Sequence, residues 1–256
     1  MRWRRAGYFS RAVLRAFVSA LLAVGIVVVA APAESAPRPP RSVQQPLLQQ
    51  ILRGFPDTKV SGRVGAPPRG MGVNRHASFA RSTWLYFKTR PRESVEYVQQ
   101  SWQASVAMGL LAGISRSRGW RPVTGKTITI VLPDGRERFS SASVIGFSPG
   151  GIQHATEAEA ERDLRESAAT VGAAVQTIRF PRPLGRLAVE LVLATDRPLA
   201  FADRSFTNIW AILDSLRGRA EGFYVEVRAS DGRWVAALGT SVRTSSTVST
   251  INSDFR

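Results

Sequence analysis

The sequence predicts an α+β fold in which two similar strand–helix–hairpin units are joined by a surface helix and the sheets are mainly antiparallel. Three observations support this prediction. Asp-Gly-Arg occurs at 134–136 and again at 231–233, each time between two strand-like segments. A proline follows the first strand of each unit, at Pro91 and Pro198, and a tryptophan on a helical stripe lies 11 or 12 positions further on. The two patterns are offset by about 100 residues, which indicates an internal duplication.

Residues 1–33 are predicted to be a secretory signal peptide. Five arginines precede or flank the start of an uncharged apolar run over 16–31, and Ala31-Pro32-Ala33 is a small-x-small sequence of the kind that a signal peptidase cuts. The run is shorter than the roughly 20 apolar residues of a bilayer span, which leaves a retained membrane anchor as the alternative. Cleavage would remove five of the 35 basic residues and none of the 19 acidic ones, so the remaining formal charge is 30 − 19 = +11.

Residues 34–80 are rich in Pro, Arg, Gly and Gln and are predicted to be a linker, because such a composition buries too little apolar surface to offset the entropy of ordering. Within this linker, four aliphatic residues from Leu47 to Leu52 are spaced so that they would lie on one face of a helix. That stripe allows a short helix at 46–54, either docked on the folded domain or only transient.

A single α+β domain is predicted over 81–240, and its first unit covers about 82–147. Residues 82–89 are β-branched and aromatic, and apolar residues then recur at helical spacing from a Ser94 N-cap. Asp134-Gly135 supplies the turn of a hairpin, since glycine adopts the positive φ that tight turns require. The predicted elements are a strand at 82–89, a helix from 94 to about 114, and a hairpin of 127–132 and 137–147.

The second unit, at about 187–238, follows a connecting helix. Thr156 is a predicted N-cap with acidic residues in the first turn, and the alanine-rich apolar face of this helix indicates a surface position. The predicted elements are the helix at 156–175, an edge strand at 175–180, a strand at 187–195, a helical stripe from Phe206 to Leu216, and a hairpin of 222–229 and 233–238. Residues 241–256 are predicted to be a C-terminal tail.

Several chemistries are excluded or disfavoured by the composition. The chain has no cysteine, which excludes thiolate catalysis, disulfides and Cys-ligated metals. Its two histidines, His76 and His154, have no partner at ligand spacing, and no phosphate-binding or dinucleotide glycine motif occurs. We therefore predict no cofactor and no metal site.

Glu190 and Glu226 are the candidate catalytic residues. Both lie in the middle of predicted strands of the second unit, and if these strands pair, the two carboxylates could share one face, as the carboxylate pair of a glycosidase must. The alternative interpretation, which strand alternation favours, is that both side chains point into water.

Trp120, with Arg118 and Arg121, is the candidate ligand-binding group. A tryptophan in a loop between two arginines is suited to stacking on a sugar or a base and to pairing with an anion. Trp102 and Trp210 lie on helical stripes and are predicted to fill the core.

Glu159 and Arg162 form a Glu-x-x-Arg spacing on the predicted connecting helix, with Trp210 downstream. This spacing is similar to the catalytic helix of the ribosome-inactivating N-glycosidases. The resemblance covers four residues and implies that Glu159 and Arg162 would line a cavity.

The leading functional hypothesis is an exported basic protein of a GC-rich bacterium that acts as a non-catalytic binding or cell-envelope interaction module. The positive charge favours an anionic polymer or carbohydrate of the envelope as partner, while nucleic acid has no motif to support it. After signal cleavage no membrane span is predicted. The alternative hypothesis is a secreted carboxylate-dependent hydrolase that uses Glu190 and Glu226.

Overall fold

The computed structural model describes residues 41–68, 82–143, 151–197 and 205–252. The predicted signal peptide, His76 and Pro198 lie outside these ranges, as does the end of the strand predicted at 137–147. The elements in chain order are α1 (Arg41–Arg53), β1 (Ser61–Gly65), β2 (Thr83–Thr89), α2 (Ser94–Ser117), β3 (Val123–Val131), β4 (Glu137–Ser143), α3 (Glu157–Thr170), β5 (Ala174–Arg179), a short 3₁₀ turn (Pro183–Gly185), β6 (Val189–Thr195), α4 (Thr207–Asp214), β7 (Gly222–Ala229), β8 (Trp234–Ser241) and β9 (Ser246–Ile251).

Two mixed sheets confirm the α+β class. The first sheet has the order β1-β2-β3-β4 and the second has the order β5-β6-β7-β8-β9. Only β2 with β3 and β6 with β7 pair in parallel among the described strands, so both sheets are mainly antiparallel. The described elements of each half run helix, strand, strand, helix, strand, strand, and the parallel pair lies between two antiparallel partners in both. The two units therefore have the same topology, and β9 is an addition to the second.

Helix α1 and strand β1 occupy part of the segment for which the sequence predicted a linker. Leu48 and Ile51 of α1 are fully buried in the core, which offsets the cost of ordering this segment. The side chains of Gln45 and Gln49 both donate to the Gly62 carbonyl, at 2.9 Å and 2.7 Å. Glutamine is common in linkers, but these two glutamines bind the backbone of β1 at the edge of the sheet.

Strand β9 falls in the predicted C-terminal tail. It pairs antiparallel with β8 over Ser246–Ile251. Its serines and threonines alternate between half-buried and exposed positions. An edge strand needs no apolar run, because one side of its ladder and half of its side chains remain in water.

Helix α2 lies between the two sheets. Its apolar residues share one core cluster with α1, the first sheet, Tyr224 and Ala237 of the second sheet, and Ala188 just before β6. A second cluster joins the opposite face of the second sheet to α3 and α4. The layers therefore alternate as sheet, helices, sheet, helices, and α2 is buried on most of its circumference.

The two Asp-Gly-Arg turns have the same structure. Gly135 and Gly232 both have positive φ, at 82° and 85°, as the sequence predicts. Each loop has three residues rather than two, because the backbone bonds join Leu132 with Arg136 and Ala229 with Arg233. The arginine of each tripeptide bonds back to its own aspartate, through the backbone N–H at 3.0 Å and through Nε at 2.6 Å or 2.7 Å. The turn therefore uses all three residues of the tripeptide, which explains why Asp-Gly-Arg occurs in both units.

Helix α3 is a surface helix, as predicted. Thr156 and Glu159 form a reciprocal capping box at its N-terminus. Only Ala160, Leu164 and Ala168 of this helix are buried, so the apolar stripe is narrow and the opposite face is solvated.

Candidate functional site

Glu190 and Glu226 lie on the face of the second sheet that packs against α2. In the parallel register of β6 and β7, Glu190 is beside Tyr224, and Glu226 is beside Val192. The exposed fractions of the two glutamates are only 6% and 9%. The expectation that both point into water is therefore wrong, because a helix from the other unit covers the face that would otherwise be solvated.

Tyr224 and Arg228 hold the carboxylate of Glu226. The Tyr224 hydroxyl donates to Oε2 at 3.3 Å, and Arg228 Nε donates to Oε1 at 2.7 Å. Glu190 has a different environment: its Oε1 is buried and has no hydrogen-bond partner among the described residues. Burial raises the pKa of Glu190, and the guanidinium of Arg179 opposes part of that rise. Burial and the neighbouring Glu226 raise the pKa of Tyr224 as well.

A cleft of about 340 Å³ opens beside this cluster. Tyr224, Glu226 and Trp234 are among its lining residues, together with Glu93 and Glu96 from the start of α2. Glu190 is not among them. An acid–base pair must reach one substrate from two sides, and only one of the two glutamates lines this cleft.

Trp120 lies just beyond the C-terminus of α2. Its backbone N–H donates to the Ser115 carbonyl at 2.8 Å, which holds the loop against the end of the helix. The guanidinium carbon of Arg118 is 4.8 Å from the centroid of the Trp120 ring. Trp120 and Arg118 are thus together, as the sequence suggests, but they contact each other and one face of the ring is covered. Arg121 also has an interaction of its own.

Glu159 and Arg162 do not form a buried pair. Glu159 Oε2 accepts hydrogen bonds from the backbone and hydroxyl of Thr156, at 2.9 Å and 2.8 Å. Arg162 bonds to Asp163, and both members of the Glu-x-x-Arg spacing are exposed on α3. Glu159 caps a surface helix and Arg162 pairs with Asp163, so the similarity to the N-glycosidases does not extend to the geometry.

A cleft of about 840 Å³ lies between α4 and one end of the second sheet. Trp210 lines it and is 40% exposed, so the prediction that Trp210 fills the core is wrong. Asp214 and Arg217 lie on the same side of the cleft. The rest of the wall is rich in hydroxyl groups, supplied by Thr207, Thr240, Ser241, Ser245 and Thr247.

The length of α4 explains the exposure of Trp210. The helix has only eight residues, and Ile209, Ile212 and Leu213 already fill its contact with the core. Trp210 follows Ile209 by one position, which turns it about 100° away from that contact. The helical spacing of apolar residues includes both Ile209 and Trp210, so it does not show which of the two side chains faces the core.

No cluster of three or more potential metal ligands occurs within the described ranges. Among the same residues, none of the helices combines the length and the apolar composition of a transmembrane span.

No protein-family model matches this chain, and no curated protein matches it. Three solved structures of low similarity are sex pheromone precursor proteins. The precursor from Lactobacillus salivarius has 9% identity and a TM-score of 0.25 over 66% of this chain, which spans about 62% of that protein. The staph-cAM373 precursor has 5% identity and a TM-score of 0.29, over 82% of this chain and 92% of that one.

The third structure is the C-terminal domain of the staph-cAM373 precursor from Staphylococcus aureus. It has 8% identity and a TM-score of 0.22, over 67% of this chain and 64% of that one. Scores at this level carry no argument about function, so the function is inferred from the clefts of the chain itself.

Proposed function

We propose that the protein is an exported, non-catalytic binding module of the bacterial cell envelope and that the cleft beside Trp210 binds a carbohydrate. Export depends on the predicted signal peptide at 1–33. The observation that carries the proposal is a partly exposed tryptophan in the wall of a cleft of about 840 Å³ that is also lined by a set of hydroxyl groups.

A sugar ring offers an apolar C–H face and a rim of hydroxyls. The indole of Trp210 provides a flat apolar surface for the ring face. Thr240, Thr247 and Asp214 provide acceptors and donors for the rim, and Arg217 adds a cation for an acidic substituent. Pockets of this kind combine an apolar surface with a few polar groups that fix orientation, and their volumes are typically about 300–1,000 Å³.

Replacing Trp210 with alanine tests the proposal. We expect Trp210→Ala to weaken binding of soluble glycan fragments from bacterial cell wall at least tenfold, because hot-spot tryptophans typically contribute about 2 kcal/mol or more and tenfold corresponds to about 1.4 kcal/mol. Titration calorimetry with the purified protein provides the measurement. Trp120→Ala is the matched control, since it removes a partly exposed tryptophan from a loop outside the cleft and is expected to leave the affinity unchanged.

Two results would contradict the proposal. One is a Trp210→Ala variant that binds as tightly as the unaltered protein. The other is a Trp120→Ala variant that loses binding, which would place the ligand at the end of α2 instead.

A carboxylate-dependent hydrolase is the second candidate, favoured by the shared face of Glu190 and Glu226 and by the cleft that Glu226 lines. On this hypothesis Glu226, the member of the pair that lines the cleft, would act on the substrate. The protein would then release reducing ends from cell-wall glycan, and Glu226→Gln would abolish that release while Glu93→Gln, in the same cleft, would retain it. An unaltered protein that binds glycan without releasing reducing ends would exclude this candidate.

A further inference from the structure

Strand β4 is an edge of the first sheet, and no described strand pairs with its outer side. The sheet has the order β1-β2-β3-β4, so β4 bonds to β3 alone. Every residue from 137 to 142 is exposed, and Phe139 is 69% exposed, more than any other large hydrophobic residue in the described ranges. An edge strand with free backbone groups is a template on which another strand can pair.

The register of the hairpin shows which backbone groups of β4 point outward. Leu132 N–H donates to the Arg136 carbonyl at 2.8 Å, so Arg136 bonds toward β3. Residues of an antiparallel ladder alternate between bonded and non-bonded pairs. Counting from Arg136, every second residue therefore bonds to β3, and the residues between them point their N–H and C=O groups away from it. The outward residues are Glu137, Phe139 and Ser141.

The corresponding positions elsewhere in the fold are occupied. At the other edge of the same sheet, the Val64 N–H donates to Gln45 Oε1 at 2.8 Å, and the Gly62 carbonyl accepts from Gln45 and Gln49. In the second unit, β8 follows its own Asp-Gly-Arg turn as β4 does, and the outer side of β8 pairs with β9. Within the part of the chain that the structure describes, the first unit lacks the strand that covers this position in the second.

The sequence of β4 is suited to antiparallel pairing with itself. If two copies meet about a two-fold axis at Phe139, the two Phe139 residues lie opposite each other, and Glu137 lies opposite Ser141 of the second copy. All three are outward residues, so their backbone groups meet as bonded pairs. Arg138 lies opposite Ser140, so no two like charges are opposed, and the two phenyl rings form an aromatic cross-strand pair.

We infer that two copies of this chain associate through β4, so that their first sheets join into one sheet across a two-fold axis. The contact uses the same surface on both copies and closes on itself, which gives a dimer rather than a fibre. A single strand from each copy forms it, so the interface is small and the dimer should dissociate on dilution. This surface lies outside the Trp210 cleft and does not depend on the carbohydrate proposal.

Sedimentation equilibrium of the purified protein over a series of concentrations tests this inference. We expect a reversible dimer, and we expect Phe139→Lys to raise its dissociation constant about tenfold or more, because two ammonium groups would then face each other across the axis. Val43→Lys is the matched control. Val43 is also an exposed apolar residue, at 41%, but it lies on α1, and the same added charge there should leave the dissociation constant unchanged.

Amide hydrogen exchange shows whether β4 is the strand that pairs. The Phe139 N–H points outward, so it should become protected only at concentrations at which the dimer forms. The Arg138 N–H bonds to β3 in each copy, so its protection should not change with concentration.

The inference is overturned if the unaltered protein is monomeric at about 1 mM, where a dimer with a millimolar or lower dissociation constant would be populated. It is also overturned if Phe139→Lys dimerises as tightly as the unaltered protein, if Val43→Lys weakens the dimer equally, or if the exchange of the Phe139 amide is independent of concentration. Trp210→Ala should dimerise normally, so a failure at β4 is distinguishable from a failure at the carbohydrate cleft.

Discussion

Replacing Trp102 with alanine is expected to lower the free energy of unfolding by about 3–5 kcal/mol, the usual cost of removing a large aromatic side chain from a core. Trp102 is fully buried on α2 between the two sheets. The Phe55 ring packs against it in a T-shaped arrangement at a centroid distance of 5.3 Å, and the centroid of the Tyr224 ring, on the second sheet, is 5.9 Å away. The second sheet approaches so closely that a Cβ on Gly239 would be 2.7 Å from Trp102 Cβ. The neighbours therefore have little freedom to fill the cavity.

Urea unfolding followed by far-ultraviolet circular dichroism measures this effect. Trp210→Ala is the control, because it removes the same side chain from an exposed position and should cost less than about 1 kcal/mol. A Trp102→Ala variant that loses no more stability than Trp210→Ala would contradict the position of α2 between the sheets.

Replacing Lys126 with methionine is expected to stabilise the protein at neutral pH. Lys126 lies on β3 and is buried against α2, where its ammonium donates to Ser105 Oγ and pairs with no acidic side chain of the described residues. Burial lowers its pKa to about 8, from an ordinary value of 10.5. At about 1.36 kcal/mol per pKa unit, the charged lysine costs about 3 kcal/mol at pH 7, which methionine would recover. Ser105 keeps a partner in the variant, because its hydroxyl also donates to the Ser101 carbonyl at 2.7 Å.

The same lysine predicts how stability depends on pH. Between its folded pKa of about 8 and its ordinary value of 10.5, the unfolded chain binds more protons than the folded chain, so the free energy of unfolding rises with pH. We expect a contribution of about 2 kcal/mol from pH 8 to pH 10, obtained as the difference between the unaltered protein and Lys126→Met. Lys88→Met, at a half-exposed lysine on the neighbouring strand β2, should retain the rise. If the free energy of unfolding of Lys126→Met still rises between pH 8 and pH 10, another titratable group causes the rise.

Local patterns predicted the elements that depend on neighbouring residues in the chain. The glycines of the two Asp-Gly-Arg turns need positive φ, and both hairpins form at the predicted places. Thr156 caps α3 as expected, because a capping box involves only residues three positions apart. The helical spacing of apolar residues likewise placed α2 and its tryptophan.

Contacts between the two units could not be predicted in this way. The stripe of Val95, Val98 and Trp102 indicates one buried face on α2, but the second sheet covers another side of that helix. For the same reason Glu190 and Glu226 are buried rather than solvated, since strand alternation does not show what lies over each face. The edge strands β1 and β9 were missed because their Gly-, Arg-, Ser- and Thr-containing sequences become strands only through their partners.

The central functional claim is that a carbohydrate occupies the cleft beside Trp210. Nuclear magnetic resonance of the ¹⁵N-labelled protein tests it most directly, because each tryptophan contributes a separate indole N–H signal. Titration with cell-wall glycan fragments should shift the Trp210 signal in a saturable manner and leave those of Trp102 and Trp120 in place. A titration that shifts Trp120 or Trp234 while Trp210 stays unchanged would contradict the claim.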